Sequence, residues 1–232
     1  MRTKLLATGL LAALAATSAA HAGDGPFTAN VGLVSDYAYR GWSQTDERPA
    51  LQGGFDYAHD SGLYAGVWGS NVSWLADGNT DVSNSLELDL YGGYKGTLGA
   101  IGYDVGLLQY YYPGSYPKPY NSPNTLEGYV GLSWEFLSFK YSYAFTDLFG
   151  YDKSDGSQYY DLGAAVDVGS GFILAAHVGY SDIKGQDDYT DWKLGVTKEF
   201  GGFNFGLHYV DTDVDNADLA DERVILSVAK SF

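Results

Sequence analysis

From about residue 28 onward the chain alternates between apolar and polar residues with a period of two. Leu86, Leu88 and Leu90 are interleaved with Glu87, Asp89 and Tyr91. Between Leu126 and Phe136 the even positions hold Leu126, Val130, Leu132, Trp134 and Phe136, and the odd ones hold Glu127, Tyr129, Gly131, Ser133 and Glu135. A strand sends successive side chains to opposite faces and keeps two such sets apart, whereas a helix would mix them. The alternation predicts twelve strands, at 28–39, 49–58, 63–72, 85–94, 101–111, 125–136, 137–146, 158–168, 172–181, 190–199, 202–210 and 223–232. Most are about ten residues long, which is what a tilted strand needs to cross a bilayer.

The connections alternate too. Short ones fall at 59–62, 95–100, around Leu137, at 169–171 and at 200–201; long ones fall at 40–48, 72–84, 112–124, 147–157, 182–189 and 211–222. Short periplasmic turns and long extracellular loops follow one another in this way in outer-membrane barrels. The expected fold is therefore all-β: a closed antiparallel transmembrane β-barrel of about 12 strands.

One face of the strands collects Leu33, Leu51, Phe55, Val67, Leu88, Val105, Leu132, Tyr141, Val166, Leu174, Leu194, Phe205 and Val228. The other collects Asp36, Asp56, Glu87, Asp89, Asp104, Glu127, Glu135, Lys140, Asp161, Asp167, His177, Lys193, His208 and Arg223. Tyr39, Tyr57, Tyr94, Trp134, Tyr180, Trp192 and Tyr209 stand near strand ends on the apolar side, where interfacial girdles need them. This predicts the apolar face toward lipid and the ionic face toward the lumen.

Residues 1–22 read as a signal peptide. Arg2 and Lys4 precede an Ala/Leu-rich run, and Ala20-His21-Ala22 is a cleavage site of the A-x-A type. The barrel then occupies residues 23–232, and export places it in the outer membrane of a Gram-negative bacterium. The final strand, Val224 to Phe232, ends on an aromatic residue, as in barrels that present this strand to the assembly machinery. Outer-membrane lipid and lipopolysaccharide are the expected surroundings.

Charge and composition narrow the chemistry. Removing the signal takes two of the 13 basic residues and none of the 29 acids, leaving a net charge of −18. Nucleic acid is excluded as a partner for such a surface. With no cysteine, thiolate catalysis and disulfides are excluded as well. A serine hydrolase would need a Ser–His pair and an orienting group. Only His59, His177 and His208 remain after the signal, and no G-x-S-x-G elbow exists, so no enzyme is expected.

Two local features carry possible chemistry. The acidic stretch Asp211 to Glu222 has the spacing of a calcium loop, with Asp211, Asp213, Asp215 and Glu222 at positions one, three, five and twelve. Asn216 replaces the usual glycine, so a loop-bound Ca²⁺ or Mg²⁺ competes with a simple solvated face, and no other cofactor is indicated. Arg40 closes the first strand. It is expected to pair with Asp36 or Asp56, or to stack on Trp42, and so fix the first loop.

The stretch Val34-Ser35-Asp36-Tyr37-Ala38-Tyr39-Arg40-Gly41-Trp42-Ser43-Gln44-Thr45, followed by Asp56-Tyr57 and by Gly62-Leu63-Tyr64-Ala65-Gly66-Val67-Trp68-Gly69-Ser70-Asn71-Val72, resembles the TorF-type porins. Glu87-Leu88-Asp89, Tyr91-Gly92-Gly93-Tyr94 and Tyr112-Pro113-Gly114 fit the same likeness. The resemblance implies an outer-membrane barrel with a pore and brings no catalytic or ligand residues with it. The expected pore lining is Asp36, Asp56, Glu87, Asp89, Asp104, Glu127, Glu135, Lys140, Asp161, Asp167, Lys193 and Arg223. An acidic lumen of this kind favours small cationic or neutral solutes. The competing expectation is a non-conducting surface barrel whose acidic loops bind metal or a partner.

Overall fold

The computed structural model describes residues 25–77 and 81–232. The signal peptide expected at 1–22 lies outside the described residues.

Twelve antiparallel strands form one closed barrel. They are β1 (Phe27–Val34), β2 (Ala50–Ala58), β3 (Leu63–Asn71), β4 (Leu86–Leu98), β5 (Ile101–Tyr111) and β6 (Thr125–Trp134). Then come β7 (Leu137–Ala144), β8 (Gln158–Gly169), β9 (Phe172–Asp182), β10 (Tyr189–Phe200), β11 (Phe203–Thr212) and β12 (Arg223–Ser231). Each pairs with its neighbours in sequence, and β1 also pairs with β12. That seam is the shortest ladder, from Asn30↔Ser231 to Val34↔Ser227, and Ala29 and Phe232 exchange two backbone hydrogen bonds of 3.2 and 2.8 Å at its end.

Tight turns require backbone that few residues adopt. Ser170 and Gly171 have φ of 56° and 76°, and Gly201 and Gly202 have 63° and 77°. Two successive positive φ values define the type I′ turn, whose twist matches that of the flanking strands. Two boundaries differ from the sequence reading. The first strand stops at Val34, because the chain bends inward at Asp36 instead of running on to Tyr39. The fourth runs on to Leu98, so Lys95 is a strand residue and not part of a turn.

The outer wall is apolar. Leu51, Leu194 and Leu226 are 62%, 60% and 59% exposed, and Leu33, Phe55, Val105, Leu132, Val166, Leu174 and Phe205 continue the belt. So large a continuous apolar surface is stable only against hydrocarbon. Tyr57, Tyr94, Trp134, Tyr180 and Tyr209 are exposed near strand ends, as an interfacial girdle requires. Tyr39 departs from that set: it lies in the inward-bent loop, and its hydroxyl meets that of Tyr110 at 2.6 Å.

Inside, rings lie over glycines on the adjacent strand. A Cβ at Gly66 would come within 2.5 Å of the Tyr91 ring, and one at Gly93 within 2.6 Å of the Tyr64 hydroxyl. The two tyrosines thus interlock β3 and β4 from both sides. Only glycine leaves room for a ring to lie flat against the wall.

Candidate functional site: an interior crossed by the first loop

The long connection 35–49, between β1 and β2, does not project outward. It folds into the loop-side half of the barrel and builds a small ladder of its own, Ala38–Tyr39 against Trp42–Ser43. Asp36 organises it: Oδ1 accepts hydrogen bonds from Ser43 Oγ at 2.6 Å and Thr45 Oγ1 at 3.1 Å. Oδ2 accepts from Arg223 Nε of β12 at 2.6 Å. Arg223 Nη2 also donates to the Gly41 carbonyl at 2.6 Å. Positive φ at Arg40 (45°) and Gly41 (85°) turns the loop back on itself. A Cβ on Gly41 would press within 3.0 Å of Asp191, so the close approach needs glycine.

That reversal sends the Arg40 side chain across the interior. Its Nη2 donates to both Glu127 carboxylate oxygens at 2.8 Å, with side-chain exposures of 9% and 3%. The guanidinium carbon lies 4.2 Å from the centre of the Tyr159 ring and 5.0 Å from that of Tyr39. Tyr189 donates to the Arg40 carbonyl at 3.0 Å. Burial opposes the Arg40 charge, but the Glu127 carboxylate and the phenols of Tyr39, Tyr110 and Tyr159 together outweigh it and hold the guanidinium above its ordinary range. Burial, reinforced by Glu87, pushes the Tyr37 phenol well up, so it stays a neutral donor. Its hydroxyl donates to Glu87 Oε1 at 3.2 Å. The loop therefore touches walls on every side, from β4 through β6, β8 and β10 to β12. The pairings expected from the sequence are corrected here. Arg40 meets Glu127 and not Asp36 or Asp56, and it stacks on tyrosines and not on Trp42, because the inward bend carries it past the near wall.

The turn-side half is lined differently. Glycine, alanine and serine dominate its inner positions, and many are only half-buried: Gly54, Gly66, Gly106, Ser138 and Ala175 among them. Asp56 accepts the Tyr91 hydroxyl at 2.5 Å and Asp104 accepts that of Tyr64 at 2.5 Å. Tyr64 and Tyr129 share a further short hydroxyl contact. Lys140 rests its ammonium 4.3 Å from the Tyr129 ring centre. Between the two halves His177 bridges Asp161 (3.2 Å) and Asp191 (2.7 Å), and Tyr159, on the loop side, donates to Asp191 at 3.0 Å.

Most of the residues expected on the inner wall do face inward. Asp56, Glu87, Asp89, Asp104, Glu127, Lys140, Asp161, Lys193 and Arg223 occupy inward strand positions, and Asp36 reaches the interior from the loop. Asp167 stands at the turn end, exposed, where it accepts the Gly169 N–H at 2.8 Å. Glu135 is a correction: it sits in the β6–β7 turn with φ of 52°, exposed and off the wall. Asp191 escaped the sequence reading, although it shares its face with Lys193.

The acidic loop does not assemble as a calcium site. Asp211 accepts hydrogen bonds from Thr212 N–H (2.8 Å) and Tyr209 Oη (3.1 Å), and Asp213 accepts the Thr190 N–H (2.7 Å). Asp215 and Glu222 are exposed, and Asp218–Ala220 form a 3₁₀ turn between them. No group of three or more metal-ligating side chains occurs among the described residues. The required central glycine is Asn216, and strands flank the loop where helices would be needed.

A family model described as a bacterial protein of unknown function (Gcw_chp) matches residues 18–232. No curated protein matches the chain. Among solved structures, the KdgM porin aligns with a TM-score of 0.58 at 9% identity, over 88% of this chain and 99% of that one. The KdgM porin in complex with disordered oligogalacturonate aligns at 0.57 and 8%, over 89% and 98%. The NanC porin aligns at 0.52 and 13%, over 88% and 97%. These likenesses are of fold: an all-β, closed, twelve-stranded, porin-like barrel of the outer-membrane type.

Proposed function

We propose that this chain, which belongs to the Gcw_chp family, gives passive passage to small cationic or neutral solutes through a narrow acidic lumen constricted by its own first loop. The observation that carries the reading is the unequal charge of the interior. Inward carboxylates at Asp36, Asp56, Glu87, Asp89, Asp104, Glu127, Asp161 and Asp191 outnumber the cations Arg40, Lys95, Lys140, Lys193 and Arg223. In a low-dielectric wall such an excess attracts cations and repels anions. Oligogalacturonate, a chain of carboxylate-bearing sugars, would be disfavoured by this lining. The half-buried, small-residue lining of the turn-side half supports a vestibule open to water, with loop 35–49 as the constriction above it. The likeness of the first three strands to TorF-type porins supports the same reading.

Planar bilayers test it. Purified mature protein is expected to give discrete conductance steps, and a KCl gradient a reversal potential of the sign set by K⁺. Silent bilayers, or a potential set by Cl⁻, would refute it. A non-conducting surface barrel is favoured by one observation, the packing of the first loop across the interior. It predicts silence even after that loop is released.

A further inference from the structure

The lipid-facing wall carries almost no charge. Along the outward positions of the twelve strands, the charged side chains are Asp182 and Asp211, at loop-side strand ends, and Lys198 and Lys230, at turn-side ends. Both lysines fall within one sector of the wall. Lys198 of β10 lies in register with Phe172, the first residue of β9, and with Phe205 of β11. Phe205 is paired in turn with Val228 of β12, two residues before Lys230. The lysines therefore flank β11 from its two sides, two strand spacings or about 10 Å apart across the wall.

Aromatic rings hold both ammonium groups without neutralising them. Lys198 Nζ lies 4.3 Å from the centre of the Phe172 ring and donates to the Ser170 carbonyl. Lys230 Nζ lies 5.1 Å from the ring centre of Phe203 and 5.2 Å from that of Phe232. A ring face attracts a cation but supplies no counter-charge, and each ammonium has three N–H groups to place. None of the ion pairs of the described residues includes either lysine. Glu199, next to Lys198, has the inward parity of its strand.

The mature chain is strongly acidic, so its surface as a whole repels anions. Two uncompensated cations on one stretch of the lipid face reverse that sign locally. At this depth their neighbours are the headgroups of the turn-side leaflet, where basic side chains attract anionic lipid and pair with phosphate. Leu194, Leu207 and Leu226, exposed on the same three strands nearer their middles, offer an apolar track for acyl chains.

We infer that Lys198 and Lys230, held by Phe172, Phe203 and Phe232, bind the headgroup of an anionic phospholipid in the turn-side leaflet. The site lies on the outer wall and stands whether or not the lumen conducts.

Native mass spectrometry of the mature barrel in non-ionic detergent, titrated with dioleoyl-phosphatidylglycerol or dioleoyl-phosphatidylcholine, tests the site. The two lipids share their chains and a phosphate, but only phosphatidylglycerol bears a net negative charge. Wild type is expected to bind phosphatidylglycerol more tightly by about tenfold or more, each lysine near a membrane surface contributing roughly a factor of five. Lys198→Gln and Lys230→Gln are each expected to reduce the preference by about fivefold. The double variant should abolish it, in protein that keeps its heat-modifiable gel mobility. Lys118→Gln, exposed in a loop at the opposite end, should leave the preference unchanged. Equal binding of the two lipids by wild type, a full preference in the folded double variant, or an equal loss in Lys118→Gln overturns the inference. So does inorganic phosphate that binds as tightly as the lipid, which would mark a free-anion site. If the double variant does not fold, wild-type preference in both single variants overturns it instead.

Discussion

Removing the Arg40 guanidinium is the most direct perturbation of the constriction. In the native arrangement it neutralises Glu127 through two hydrogen bonds of 2.8 Å. Arg40→Ala leaves that carboxylate, 3% exposed, with the Tyr110 hydroxyl at 3.3 Å as its one side-chain hydrogen-bond donor among the described residues and the Lys140 ammonium as its nearby cation. Deleting one partner of a buried ion pair costs about 3–5 kcal/mol. At roughly 1.4 kcal/mol per factor of ten, docking of the loop weakens by about two to three and a half orders of magnitude. Tyr39 and Arg223 still tether the loop, so it should loosen without leaving the lumen. Single-channel recording is then expected to show larger and noisier conductance steps for Arg40→Ala, and the same for Glu127→Gln. The double variant Arg40→Met with Glu127→Leu removes both charges, leaves neither unpaired, and is expected to restore quiet, small steps. Traces of folded Arg40→Ala and Glu127→Gln that superimpose on wild type would refute the reasoning.

Other positions test other parts of the molecule. Leu194→Arg places a cation at mid-strand on the lipid face and is expected to lower stability in vesicles by about 2–4 kcal/mol, read from urea unfolding; an unchanged midpoint would contradict the outward assignment. Gly66→Ala drives a methyl into the Tyr91 ring and should cost about 1–3 kcal/mol in the same assay. Gly32→Ala, whose Cβ would meet its nearest atoms at an ordinary 3.5 Å, should cost far less. Asp56→Asn combined with Asp104→Asn removes two vestibule carboxylates and is expected to shift the reversal potential toward zero; a potential that does not move assigns selectivity elsewhere.

The strand pattern was legible because a barrel wall is a local object: each residue's side is set by parity, and the alternation of turns with loops is written directly along the chain. Glu135 shows where parity stops. It continues the inward series of β6 on paper, yet the strand ends at Trp134, two residues before the expected end at Phe136, and the turn takes it off the wall. The inward path of loop 35–49 was not legible, since it depends on contacts between residues far apart in sequence. Asp36 and Arg223 stand 187 positions apart, and nothing near either one names the other. Arg40 was singled out for the right task, fixing the first loop, with the wrong partner. The acidic run 211–222 shows the opposite failure: its spacing imitates a metal loop, but its carboxylates accept from backbone and hydroxyl donors, one of them on the neighbouring strand, or face solvent.

The Arg223 side chain has a second consequence. It belongs to the last strand and grips a segment that immediately follows the first, so it spans the place where the two ends of the chain meet. That seam has the fewest residue pairs of any junction in the wall, and a cylinder under lateral strain parts where it is least stitched. The loop that narrows the lumen therefore also acts as a clasp on the hoop. Loosening one should loosen the other, and a barrel that leaks more readily should also unroll more readily.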